Sequence, residues 1–187
     1  MKSLKPNPWF LPQPVIIIGT YDADGTPNAM NAAWCGQHTP TQIILSLATH
    51  QTTDNLHRLG EFTVAFATAR TMVGADFVGM TSGHHLHEKV AKTGWTVEKA
   101  PNVNAPLFKD FPVTFECRAT APLGDDQHEH FIVADIVNIL ADEAYLADDG
   151  NPDVEKMGLI TYDPIHHTYI ELGKTVGHAY AVGKALE

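Results

Sequence analysis

Three groups of residues in this chain have the types and spacing to do chemistry. The first is Thr52-Thr53-Asp54-Asn55, where hydroxyls and an amide gather at what reads as a helix start. The unpaired N–H groups of such a start and the helix dipole both favour an anion, and a phosphate is the natural candidate. Thr and Asn in this place also serve simply as caps. Ser82-Gly83 and Lys89 could add a flexible loop and a positive charge to the same anion, although Lys89 taken alone reads as a solvated surface residue.

The second group is histidine. His84, His85 and His87 with Glu88 invite a metal reading, yet His85 and His87 would face different sides of a helix, and no HExxH or paired cysteine accompanies them. His166-His167 offers no better geometry, so no metal site is expected. His128 and His130 stand at the entry to a long apolar run, from which a side chain can contact a bound ligand or donate a proton. An exposed turn histidine is the plain alternative.

The third group is the stretch Pro27 to Gly36. Asn31, Ala32 and Ala33 are small, and Trp34 and Cys35 follow. Small side chains there let a flat ligand approach the backbone, while Trp34 either closes one edge or packs into core or interface.

The elements that must position these residues are mostly strands. Val15 to Thr20 is the most β-prone run, Asp24-Gly25 supplies the positive φ of a tight turn, and a second strand is expected from Asn28 to Gln37. Ile43 to Ala48 makes a third strand. A helix follows with Thr52 and Thr53 as N-caps and Gly60 as its stop, then a strand at Phe62 to Ala67 and a short helix from Thr71 to about Gly79. His85 to Thr93 reads as a third helical piece closed by Gly94. Trp95 to Pro112 reads as a wandering connection with one short strand near Thr96. Val113 to Thr120 and Phe131 to Ile139 make a hairpin across Gly124-Asp125-Asp126-Gln127, and the tail adds strands at Leu159 to Tyr162 and Thr168 to Leu172. Strands with helices confined to the middle predict a mainly β fold, a β-barrel with a helical insertion.

At 187 residues the chain suits one domain with a sizeable core. Twelve Lys and Arg against 22 Asp and Glu give a net charge of −10, with no basic run, which disfavours a nucleic-acid partner. The proline-broken start lacks the apolar core of a signal peptide, and no stretch approaches the ~20 apolar residues of a membrane span. Cys35 and Cys117 form no CxxC pair. A cytoplasmic location without membrane attachment is the expectation.

Several separated segments together resemble one family. Gly25-Thr26-Pro27-Asn28 leading into Ala32-Ala33-Trp34, Thr52 to Leu56 before Gly60-Glu61-Phe62, and Ala75-Asp76-Phe77-Val78-Gly79 before Ser82-Gly83 resemble the flavin reductase-like, flavoredoxin-type FMN proteins. So do Ala105-Pro106-Leu107, Phe115-Glu116-Cys117 and His130 to Val137, and the likeness runs over about residues 12 to 180. It departs from the family in the His-rich lead to Glu88-Lys89, and in Ala134, where a glycine is frequent.

The resemblance implies an FMN-binding split barrel of Greek-key type, one domain over residues 1–187, and a homodimer with FMN near the subunit interface. Asn31, Ala32, Ala33, Trp34 and Cys35 would run beside the isoalloxazine ring, with further contacts from Ser46, Leu47 and Ala48. Thr52, Asn55, Ser82, Gly83 and Lys89 would surround the ribityl phosphate, and His130 would lie close to the nicotinamide. The implied activity is NAD(P)H-dependent flavin reduction. The competing expectations are a flavoredoxin-like carrier that keeps its FMN and exchanges electrons with a redox partner protein, and a non-catalytic split barrel holding another cofactor.

Overall fold

Ala33 and Trp34 are the only residues between two strands that lie at opposite edges of the same seven-stranded sheet. The computed structural model of the chain describes residues 1–123 and 130–187, and side chains outside 121–130. Its elements run β1 (Gln13–Pro14), β2 (Ile16–Tyr21), β3 (Pro27–Ala32), β4 (Cys35–Thr39), β5 (Gln42–Leu47), α1 (Gln51–Leu59), β6 (Glu61–Phe66) and α2 (Met72–Met80). A 3-10 helix (Lys89–Thr93) precedes β7 (Val97–Lys99), β8 (Pro106–Phe108), β9 (Val113–Leu123) and β10 (His130–Ala141); α3 (Val154–Met157), β11 (Ile160–Asp163) and β12 (Thr168–Glu171) complete the chain's main elements.

The large sheet has the order β3-β2-β6-β9-β10-β5-β4. Laid flat, its two edges would stand ~29 Å apart at the usual strand spacing. The link from Ala32 to Cys35 reaches at most about 11 Å. The sheet therefore curls until the end of β3 meets the start of β4, leaving a seam between these two edge strands along which the barrel is split. Register shifts in the β9–β10 pair, between Val133 and Ala134 and between Ile136 and Asn138, supply the local bending such curling needs.

The mainly β barrel expected from the sequence is the fold observed. Its interior is filled by Ile16, Ile18, Met30, Leu45, Leu47, Phe62, Val64 and Cys117, with Leu56 of α1 joining the same cluster. Val15 and Ile17 face the opposite way, into a second cluster with Ala75 and Val78 of α2 and Phe108 of β8. Burial on both faces explains why this strand reads as an unbroken apolar run. The β2–β3 hairpin turns as expected, with Gly25 at φ 88 and Asp22 N–H donating to the Thr26 carbonyl at 2.9 Å.

Several expectations are corrected. The single strand over Asn28 to Gln37 is two strands, β3 and β4, because the chain leaves one sheet edge and enters the other. Helix α1 is capped by His50, not by Thr52 or Thr53; Thr53 Oγ1 instead donates to the His50 carbonyl and accepts from its N–H, both at 2.7 Å. Only Lys89–Thr93 of the 85–93 segment is helical, and it is 3-10. The connection from Trp95 to Pro112 holds a two-stranded sheet, β7 with β8, not one strand. Helical structure also recurs in the tail at α3, so it is not confined to the middle. The Gly124 to Gln127 turn lies outside the described residues; the strands flanking it pair antiparallel, Leu123 with Phe131.

Candidate functional site

Helix α1 sits where β5 ends, and its inner side faces the β2–β3 hairpin. Thr52, Thr53 and Asn55 are buried there against Thr20, Asp22 and Asn28, which are buried too. Asn28 Nδ2 donates to Thr52 Oγ1 at 2.8 Å, and Asn55 Nδ2 donates to Asp22 Oδ1 at 2.6 Å and to Thr20 Oγ1 at 3.0 Å. Within this network Asp22 Oδ2 and Asn28 Oδ1 are both buried without a hydrogen-bond partner, and it is Asn28 Oδ1 that lies against the backbone of Gly83. An unmet buried acceptor costs about 1–3 kcal/mol, so this atom calls for a donor. The first turn of α1 presents N–H groups that no preceding turn can satisfy.

The segment after α2 closes over the same place. Gly83 is buried, and a Cβ there would lie 2.9 Å from Asn28 Oδ1 and from Gln51 Cβ, so only glycine lets the backbone pass this closely. Ser82 is half-buried; its Oγ accepts from the His84 N–H at 3.3 Å. Lys89 is 3% exposed, contrary to the solvated surface residue that its type alone suggests. Its Nζ donates to the carbonyls of Val78 at 2.9 Å and Thr81 at 2.6 Å, closing the end of α2. An ammonium has three donors, so one is left for a ligand. Burial lowers the Lys89 pKa to about 8, partly opposed by Asp22. Burial also lowers the pKa of His50, with help from the nearby charges of Lys89 and His84.

Thr52, Asn55, Ser82, Gly83 and Lys89 are thus brought to one locality from three elements. A helix N-terminus and a desolvated ammonium attract an anion, and the orphan Asn28 acceptor suits a hydroxyl beside it. A phosphate carried on a polyol matches both demands.

Three residues further along β3, about 10 Å at strand spacing, lies a second polar cluster. Asn31, Ala33, Asp76, Met80, Tyr162, His167 and Tyr169 line a cleft of about 450 Å³. Tyr169 Oη donates to Asp76 Oδ1 at 2.8 Å and lies 3.5 Å from Asn31 Nδ2, while Tyr162 Oη and His167 Nδ1 are 2.7 Å apart. Burial, then the Asp76 carboxylate, pushes the Tyr169 pKa up to about 12. As a sheet edge, β3 also presents backbone N–H and C=O groups that no strand pairs.

Asn31, Ala32 and Ala33 all line the cleft. Ala32, 8% exposed, also packs into the barrel core, and Cys35 packs on that core beside a small apolar cavity with Ile16 and Phe115. Burial raises the Cys35 thiol pKa to about 12, which leaves it inert as a nucleophile. Trp34 is 53% exposed, and its carbonyl accepts from the Ser46 N–H at 2.8 Å, extending the β4–β5 pairing. Leu47 is buried in the core and Ala48 is exposed before α1. His130 pairs through its backbone with Leu47, three residues before the α1 cap; His128 lies outside the described residues.

Sequence reasoning missed Asn28, Asp22 and His50 at the anion end, and Asp76, Tyr162, His167 and Tyr169 at the cleft. The one signal was Asn28, which with Asn31 interrupts the apolar residues of β3. A larger cleft of about 580 Å³, between α2 and the 3-10 helix with Arg70, Lys92 and Trp95, holds none of the expected residues. Among the described residues no group of three or more His, Cys, Asp or Glu is arranged to hold a metal. No described helix is long and apolar enough to cross a membrane.

This architecture recurs in known proteins. The chain matches the family model "Flavin reductase like domain" over residues 10–152. Flavoredoxin of Desulfovibrio vulgaris (Miyazaki F) superposes with a TM-score of 0.92 at 30% identity, covering 98% of this chain and 99% of that one. Flavoredoxin from Methanosarcina acetivorans does so with a TM-score of 0.87 at 27% identity, covering both chains fully (100% of each). A Shewanella frigidimarina protein with a split barrel domain matches at TM-score 0.78 and 17% identity, over 90% of this chain and 86% of that one, a likeness of fold alone. No curated protein sequence matches. The family-model match spans most of the chain, and with the flavoredoxin likeness over nearly its whole length it settles the assignment: the chain belongs to the flavin reductase-like family.

Proposed function

We propose that the chain binds FMN and passes electrons through it, taking hydride from NAD(P)H. The observation that carries this reading is the buried Asn28 Oδ1, orphaned beside Gly83, the α1 N-terminus and Lys89. In this reading Thr52 and Asn55 hold that network in shape, Lys89 and the first turn of α1 bind the phosphate, and Asn28 accepts from a ribityl hydroxyl. The free edge of β3 from Asn31 to Ala33 supplies backbone partners for the ring, and Ser46 to Ala48 flank it. The flavin supplies the redox chemistry; the protein's part is anchoring, orientation and an open face for the nicotinamide. His130, at the mouth beside Leu47, is the candidate proton donor.

The chain works in the cytoplasm as a single-domain homodimer in this account. The exposed apolar side chains Val73, Met80 and Trp34 suit an interface that closes over the ring end. The likeness to two flavoredoxins supports a second reading, an electron carrier that keeps its FMN and is reduced by a partner protein. Anaerobic mixing of the flavin-loaded protein with NADH or NADPH separates the two. Bleaching of the flavin absorbance supports the reductase, and its absence with both nucleotides leaves the carrier.

A further inference from the structure

The histidine cluster that suggested no metal site has a defined place in the fold. Residues 81–89 form a strap across the anion end, carrying Ser82, Gly83 and Lys89. His87 stands between the two carboxylates of the β2–β3 turn, Nε2 at 2.8 Å from Asp24 Oδ2 and Nδ1 at 3.1 Å from Asp22 Oδ2. A neutral imidazole has one donor and one acceptor, so it would set a lone pair against a carboxylate at one of these contacts. The Asp24 contact is a hydrogen bond, whereas Nδ1 approaches Asp22 Oδ2 at ion-pair distance without one, so it is the positive charge of the imidazolium that favours both contacts. The same Asp22 accepts from Asn55 on its other oxygen, so the contact reaches the buried network that shapes the anion end.

We propose that His87, as an imidazolium clamped by Asp22 and Asp24, is a positioning residue that latches the 81–89 strap over the phosphate end of the site, and that the latch releases as the ring loses its proton. The ligand named here rests on the FMN reading above; the latch itself rests on the His87 geometry. Asp24 holds His87 above the ordinary imidazole range, and hydrogen bonds from Thr26 and His87 lower the Asp24 carboxyl to about 2. A raised imidazole pKa stabilises the closed strap at low pH, and that stabilisation is lost as pH rises through it.

Other charges surround the latch. From the hairpin turn come Asp22 and Asp24. From α1 come Asp54, 3.5 Å from His84 Nε2, and Arg58, whose guanidinium donates to the Tyr21 carbonyl and to Asn55 Oδ1. The strap itself adds His84, Glu88 and Lys89, and His50 stands before α1. Lys89, its pKa lowered to about 8 by burial, is present in both proteins, so the latch is read from the difference between the parent and a His87 variant.

The test is FMN affinity by fluorescence quenching between pH 5.5 and 8.5, for the parent and His87→Gln, together with an NMR titration of His87 and amide exchange over 81–89 in the flavin-free protein. The variant should bind about five-fold more weakly at the acid end, as an exposed charge pair warrants, and match the parent at the alkaline end. The His87 midpoint should lie above that of an ordinary imidazole and fall in Asp24→Asn. Protection across the strap, referred to the intrinsic exchange rate at each pH, should fall through that midpoint in the parent and be low throughout in His87→Gln. A His87 midpoint at or below the ordinary value, or parent and variant sharing one pH profile, overturns the latch. Failure of both proteins to bind FMN at any pH sinks the cofactor reading, while strap exchange and the His87 midpoint still decide the latch.

Discussion

At the scale of single residues, Lys89 and Asn28 differ most from what their types suggest. Lys89 is a buried ammonium with two of its donors spent on helix-end carbonyls, and Asn28 is a buried amide with its oxygen unspent. If they hold phosphate and ribityl hydroxyl, Lys89→Met should weaken FMN binding by about tenfold or more, the size of a lost charge-assisted hydrogen bond, and leave riboflavin binding unchanged. Comparing both ligands by fluorescence titration checks this; equal losses for the two would move the phosphate elsewhere. The sequence suggested an anion site at Thr52 to Asn55 because helix-start chemistry is local, with Lys89 joined to it as a charge that taken alone reads as surface. It could not show that Lys89 is buried or that Asn28 lacks a partner, since both follow from the strap crossing β3, a contact between segments about fifty residues apart. His50 as the cap was equally illegible, because Thr52 and Thr53 beside it are the usual capping types.

At the scale of elements, the site depends on one close approach and the barrel on one buried carboxylate. Gly83 passes Asn28 and Gln51 with no room for a side chain, so Gly83→Ala should displace the strap and cost about 1–3 kcal/mol with a parallel loss of FMN affinity, measured by chemical denaturation and titration. Strand β9 carries the second device, Glu116, a fully buried carboxylate that accepts from Asn102 N, Asn102 Nδ2 and Asn138 Nδ2, each at 2.7 Å. Burial pushes its pKa up, but hydrogen bonds from Asn102 and Asn138 outweigh that and hold it below the usual value. Its contribution is therefore present above about pH 4.3 and lost as pH falls through the lowered pKa. Glu116→Gln sets an amide donor against donors and should cost about 2 kcal/mol at pH 7, with the gap to the parent narrowing in acid. The strands themselves were legible in their apolar runs. The break at Ala33-Trp34 was not, because no Gly or Pro marks it and only the curl of the whole sheet demands it.

At the scale of the molecule, the seam between β3 and β4 explains why a barrel can offer a ligand free backbone edges. In the proposed dimer the exposed Val73, Met80 and Trp34 would cover those edges, and sedimentation should then give twice the 20.4 kDa chain mass, with Met80→Asp shifting it toward monomer. A monomer at all concentrations would remove the interface from the account. The most direct test of the central claim is anaerobic: the purified protein, reconstituted with FMN, is mixed with NADH or NADPH and followed by flavin absorbance. The account predicts bound flavin that bleaches with at least one of the two nucleotides. Protein that neither retains nor quenches FMN, or whose bound flavin stays oxidised with both, would contradict it.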